Sequence, residues 1–156
     1  MEINTSLDFP ADPGTVFDMM TNQDFLAEVA KEAGALEHTV RVDGMTTSSE
    51  RVLAAPDAAK KFTGDSIRIV EERAWSAAEP DGGRTATLSL KSPGQPISMP
   101  GTVTLTPVGS GTRIDIRGDL TVKIPLVGKK LEKMSAPAIM DGIKAEERVA
   151  LRWLQK

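Results

Sequence analysis

A chain of 156 residues with no cysteine, four Phe, two Trp, no Tyr and seven Met must build its core from aliphatic side chains and methionine, and it has neither disulfides nor thiolate chemistry. A formal net charge of −3 argues against a dedicated nucleic-acid binder, which is usually basic overall or along one stripe. No stretch approaches the roughly 18 apolar residues of a membrane span, and the start lacks the basic and apolar regions of a signal peptide, so a soluble cytoplasmic protein is expected.

The length suits a single domain, 1–156, burying roughly 70% of its unfolded surface. Methionine is flexible and polarizable, which suits adaptable apolar walls as well as plain gap-filling.

In chain order, "INTSLDF" places Ile3, Thr5, Leu7 and Phe9 on one face at strand spacing. Asp12 then offers a helix cap and Pro13 suits the first helical position. Val16, Phe17 and Met20 share a face of that first helix. A second short helix follows, with Phe25, Leu26, Val29 and Ala33 on one side and Gly34 as its stop.

A long β region comes next. "EHTVRVDG" and "MTTSSERVLA" meet at Asp43-Gly44, a hairpin signal. "SIRIVEERAWSAA" and "GRTATLSLKS" flank the turn "EPDGG", and "GTVTLTPV" and "TRIDIRGDLTVKI" flank "GSG". In the last of these strands Ile114, Ile116, Leu120, Val122 and Ile124 face one way, while Arg113, Asp115, Arg117, Asp119 and Lys123 face the other. Gly118 interrupts the inner row and signals a bulge or bend. Such alternation marks an antiparallel sheet with one wet face, and a curved sheet needs a partner on its inner face.

The C-terminal segment supplies it. Ile139, Gly142, Ile143, Val149, Ala150, Trp153 and Leu154 recur at helical spacing, and Val127, Leu131 and Met134 extend the stripe backwards. Pro137 inside this pattern predicts a kink or short break, with Ser135 available to cap the second part. A continuous helix from Leu126 to Leu154 would span roughly 40 Å. Pro125 and Gly128, in "TVKIPLVGKKLEKM", form the joint between the last strand and this helix.

Chemistry-bearing residues are few. The single histidine, His38, is the lone candidate for a hydroxyl- or thiol-activating base. One His and no Cys argue against a zinc site, which needs three or four Cys, His or carboxylate ligands. The "GSG" at 109–111 lacks the Lys-Ser/Thr of a phosphate loop and joins two strands. More telling is "SIRIVEERAW", in which Ile67, Ile69, Glu71, Arg73 and Trp75 share a strand face. With Ile67 and Trp75 inward, Glu71 and Arg73 point inward too, unless a bulge reverses them. Glu146 interrupts the apolar stripe of the last helix. An unpaired buried carboxylate is costly, and Arg73 is its candidate partner, either as part of a polar clamp for a ligand head group or as a structural ion pair. Gly142 either makes room for a ligand or lets helix and sheet pack closely. Lys123, Lys129, Lys130 and Lys133 form either a solvated face or an attractor of anions and lipid surfaces.

The order of elements resembles the START-like (SRPBCC, helix-grip) superfamily, which includes polyketide cyclase-like proteins and lipid carriers. More narrowly it is similar to a family of uncharacterised actinobacterial proteins within that superfamily. The resemblance rests on Trp75 in "EERAW", "GQPISMPG" from Gly94 to Gly101, Gly111-Thr112 in "GSGT", and "IPLVGKKLE" from Ile124 to Glu132. It implies an α+β helix-grip fold, with a curved antiparallel sheet of about seven strands wrapped around a long C-terminal helix and two short helices between strands 1 and 2. It also implies a cavity between sheet and helix, open near the helix's N-terminal end.

The expected function is cofactor-free binding of an apolar or amphipathic, lipid- or polyketide-like molecule, with no nucleic acid and no stable membrane insertion. The expected cavity residues are Glu71, Arg73, Trp75, Ile114, Ile116, Leu120, Val122, Met134, Ile139, Gly142, Ile143 and Glu146. One alternative is a cyclase or dehydratase using Glu71, Glu146 or His38. The other is a protein-interaction module with a filled core.

Overall fold

The structure is a computed structural model and describes residues 1–155. Strand β1 (Glu2–Phe9) leads into helices α1 (Pro13–Met20) and α2 (Gln23–Glu32). Strands β2 (Glu37–Asp43) and β3 (Thr46–Ala54) follow, then a 3₁₀ turn (Asp57–Ala59) and the short helix α3 (Lys60–Thr63). Next come β4 (Ser66–Trp75), β5 (Arg84–Lys91), β6 (Ile97–Val108), β7 (Gly111–Asp119) and the two-residue β8 (Thr121–Val122). Helix α4 (Gly128–Leu154) closes the chain. The strands form one antiparallel sheet in the order β1-β7-β6-β5-β4-β3-β2, with β8 paired to β6 beyond β7. The chain thus has the α+β helix-grip architecture, a curved sheet gripping a long helix.

Local chemistry sets the element ends. The Asp12 carboxylate accepts the Thr15 backbone N–H at 3.2 Å and Pro13 opens α1. Asn22 caps α2 by accepting from Asp24 and Phe25 at 2.8 and 3.2 Å. Strand alternation then buries one face. Ile3, Leu7 and Phe9 of β1, Leu88 and Leu90 of β5 and Ile114 and Ile116 of β7 join Val16, Phe25, Ile143 and Val149 in one core.

The long last strand foreseen from the sequence is split. Residues 111–119 pair with both β1 and β6, while Thr121 and Val122 pair only with Ser98 and Ile97. Gly118 sits next to this break, and a Cβ there would lie 2.7 Å from Cγ of Met99. The Met99 side chain takes the space that Gly118 leaves. Strand β6 also begins at Ile97, earlier than the expected Gly101, and so contains Pro100. That proline is tolerated because it lies where β6 changes partner from β7 to β8.

The joint into α4 is a tight construction. Leu126 adopts φ 70° and is fully exposed. Gly128 donates its N–H to Ile124 O at 2.8 Å, and a Cβ on it would meet Val122 O at 2.2 Å. Only glycine lets the helix start against the strand it has just left. Glu132 accepts the Val122 N–H at 3.0 Å and the N-terminal ammonium at 3.3 Å, tying the first turns of α4 to β8. The helix is continuous through Pro137, so no break occurs there and Ser135 begins no second helix. It packs on α2, β1 and β8.

Candidate functional site

Between the concave sheet face and α4 lies a cavity of about 520 Å³. Its apolar wall includes Leu26 and Val29 from α2, Ile69 from β4, Leu88 and Leu90 from β5 and Met99 from β6. Ile116, Leu120, Ile139 and Ile143 complete the wall. Its exposed lining residues are Gly34 after α2, Ala54 at the end of β3, Pro56 just beyond it, and Ala138, Asp141 and Arg148 on α4. The rim therefore reaches the middle of α4, whereas the expectation was its N-terminal end. Lys123, Lys129, Lys130 and Lys133 do not line this cavity.

A buried polar cluster interrupts these apolar walls. In β4, Glu71 and Arg73 both face inward, as alternation with Ile69 and Trp75 demands. Arg73 donates from Nη1 and Nη2 to the two carboxylate oxygens of Glu146 at 3.0 and 2.9 Å, a bidentate pair. Both side chains are only 7% exposed. Its Nε donates to Glu71 Oε2 at 3.0 Å. Glu71 Oε1 in turn accepts from Arg51 Nη2 at 3.3 Å. The four side chains form an alternating row: Glu146, Arg73, Glu71, Arg51.

The electrostatics follow from this order. Burial pushes the Glu71 carboxyl up, but the charges of Arg73 and then Arg51, with the Arg73 hydrogen bond, hold it below the usual carboxylate range. Burial likewise opposes the charge on Arg73, yet Glu146 and then Glu71 keep its guanidinium more firmly protonated than usual. Both groups stay charged near neutrality, and Glu71 is thereby a poor proton donor there.

Of the residues expected from the sequence, Glu71, Arg73, Ile116, Leu120, Ile139, Gly142, Ile143 and Glu146 line the cavity. Trp75, Ile114, Val122 and Met134 do not line it. Trp75 ends β4 and packs edge-on against Phe17 of α1 at 5.6 Å between centroids. Ile114 is fully buried between Leu7 and Leu105, within the core. Val122 is buried beneath the start of α4, and Met134 lies half-buried on that helix. His38, opposite Arg51 across the β2–β3 ladder, also lies outside the wall.

Sequence reasoning passed over Arg51. It projects from β3 into the cavity and is only 9% exposed. Its signal was the alternation Thr47, Ser49, Arg51, Leu53, which registers only once polar residues are admitted to an inner face.

The gripped helix and curved sheet make a START-like fold, which solved structures share. A STAR-related lipid transfer protein fragment from Xanthomonas axonopodis superposes with a TM-score of 0.67 at 11% identity, covering 99% of this chain and 86% of that one. TTHA0849 from Thermus thermophilus gives 0.66 at 23% identity, covering 97% and 98%. Human STARD10 gives 0.65 at 12% identity, covering 99% and 64%. More narrowly, residues 4–154 match the family described as "Protein of unknown function (DUF2505)", and the chain belongs to that family. The uncharacterised protein Rv0481c of Mycobacterium tuberculosis is 23% identical over 141 residues, which cover 83% of this chain and 80% of the relative.

Proposed function

We propose that this protein binds an apolar or amphipathic small molecule, lipid- or polyketide-like, between its sheet and α4 and does not transform it. The observation that carries the reading is the cavity of about 520 Å³ with aliphatic walls and one convergent polar cluster, the usual make-up of a small-molecule site. The lipid-transfer description of one structural neighbour points the same way. Binding is favoured over a cyclase or dehydratase because Glu71 is locked as a carboxylate between two arginines. A general acid–base group works best with its pKa near the operating pH, and His38 does not line the cavity.

The test is titration with 1-N-phenylnaphthylamine, which fluoresces on entering an apolar site. Wild type should enhance its emission saturably, and Ile139→Trp, which fills the cavity from α4, should lose most of that enhancement while still melting cooperatively. Equal enhancement in both proteins would place the probe elsewhere and remove this support.

A further inference from the structure

The two cavity arginines are not equally occupied. Arg73 uses Nε, Nη1 and Nη2, all on carboxylates. Arg51 is about as deeply buried but makes one hydrogen bond among the described residues, Nη2 to Glu71 at 3.3 Å. Its Nε is buried without a hydrogen-bond partner among the described residues. A guanidinium carries five N–H donors in a rigid fork, and leaving them unpaired away from water is costly. Arg51 therefore has donor capacity to spare inside the cavity it lines.

The cavity reaches it, because Arg51 and Gly142 both line the chamber. A Cβ on Gly142 would lie 3.8 Å from Arg51 Nη1 and would meet nothing else within 4 Å. The helix thus presents no side chain where it passes this guanidinium. The charge order gives the sign of what fits. Arg73 bridges two carboxylates, those of Glu146 and Glu71. Arg51 holds one carboxylate, and the alternating row ends on its cation at the cavity. Asp141, the neighbouring rim carboxylate, is solvent-exposed, where screening weakens its repulsion.

We propose that Arg51 receives the carboxylate head group of an amphiphilic ligand, with the aliphatic tail lying against Leu88, Leu90, Ile116 and Ile143. This rests on the binding function proposed above and names its ligand class. The carboxylate takes the place in the row that Glu146 holds for Arg73, and the flat fork suits a bidentate carboxylate better than a point charge would. Gly142 keeps that place clear.

The experiment is calorimetric titration with decanoic acid and decan-1-ol at neutral pH, which share a tail and differ in head group. Wild type should bind decanoate about ten- to a hundredfold more tightly than decanol, the range for a charge-assisted hydrogen-bonded contact. Arg51→Met should abolish that preference, read as the ratio of the two affinities within each protein, with Arg51→Lys between wild type and Arg51→Met. Gly142→Leu keeps Arg51 and its Glu71 contact but fills the space before it, and should also lose decanoate. A further readout needs no variant. Bound [1-¹³C]decanoate should titrate at lower pH than the free acid, and a midpoint at the free value or above it would overturn the proposal. Equal binding of acid and alcohol, or an undiminished preference in Arg51→Met, would overturn the Arg51 assignment while leaving the binding function standing. Binding of neither amphiphile would remove both.

Discussion

Replacing Arg73 by Met tests how the polar cluster is held. Glu146 has hydrogen bonds to Arg73 alone among the described residues, and its side chain is 7% exposed. Arg73→Met therefore leaves a buried carboxylate unpaired, a lesion that costs about 3–5 kcal/mol. A domain of this size loses roughly 2–4 °C of Tm per kcal/mol, so the melting point should fall by about 6–20 °C. Removing both charges is different, because apolar replacement of a buried ion pair is often neutral or stabilising. Glu71 loses its Arg73 bond in the double variant but keeps Arg51 and is 21% exposed. Arg73→Met/Glu146→Met should therefore recover most of the loss, giving a coupling of at least about 2 kcal/mol. Urea unfolding of wild type, both single variants and the double variant measures this, provided the slopes stay equal. A single-variant cost below about 1 kcal/mol with additive effects would mean that Glu146 reaches water in solution, and the buried cluster would be wrong.

Three further outcomes follow from the same structure. Gly142→Ala adds a methyl at ordinary contact distance from Arg51, 3.8 Å. It should raise stability by about 0.5–1 kcal/mol through helix propensity, and a loss in thermal or urea unfolding would show that the position is tightly packed instead. Gly128→Ala forces a methyl to within 2.2 Å of Val122 O; a cost of several kcal/mol, about 3 or more, is expected, and a near-neutral melt would refute the tight joint. Glu32, Glu71 and Glu132 all lie below the ordinary 4.5 when folded. Their stabilisation is complete above pH 4.5 and fades as pH falls through their folded values. The Tm should hold steady above that point and drop below it, less steeply in Glu132→Gln, and an acid-insensitive Tm would contradict the linkage.

Much of this was legible in the sequence because short-range chemistry decides it. The alternation of "TRIDI", the Asp12-Pro13 cap and the Asp43-Gly44 turn report their own geometry. The pairing of Arg73 with Glu146 followed from a cost argument, since a carboxylate on an apolar helical stripe needs a cation and the facing strand carried one. Three features resisted. Arg51 hid in "TTSSERVLA" because a polar residue on a concave face looks like a solvent-facing one until the sheet's curvature is known. The early start of β6 was masked by Pro100, tolerated only because two different strands share that edge. The break between β7 and β8 depends on where Met99 finds space beside Gly118, a long-range packing fact. Trp75 and Ile114 have the right face but lie beyond the cavity's extent, and alternation fixes a face without fixing depth.

The most direct test of the central claim is native mass spectrometry of the protein purified gently from an actinobacterial host, followed by identification of whatever denaturation releases. A one-to-one adduct of an amphiphilic molecule carrying a carboxylate is expected, absent from the cavity-filled Ile139→Trp protein prepared in parallel. An adduct retained in Ile139→Trp would place the ligand outside the cavity and contradict the claim, as would a wild-type mass that stays bare even when the purified protein is offered decanoate and decanol.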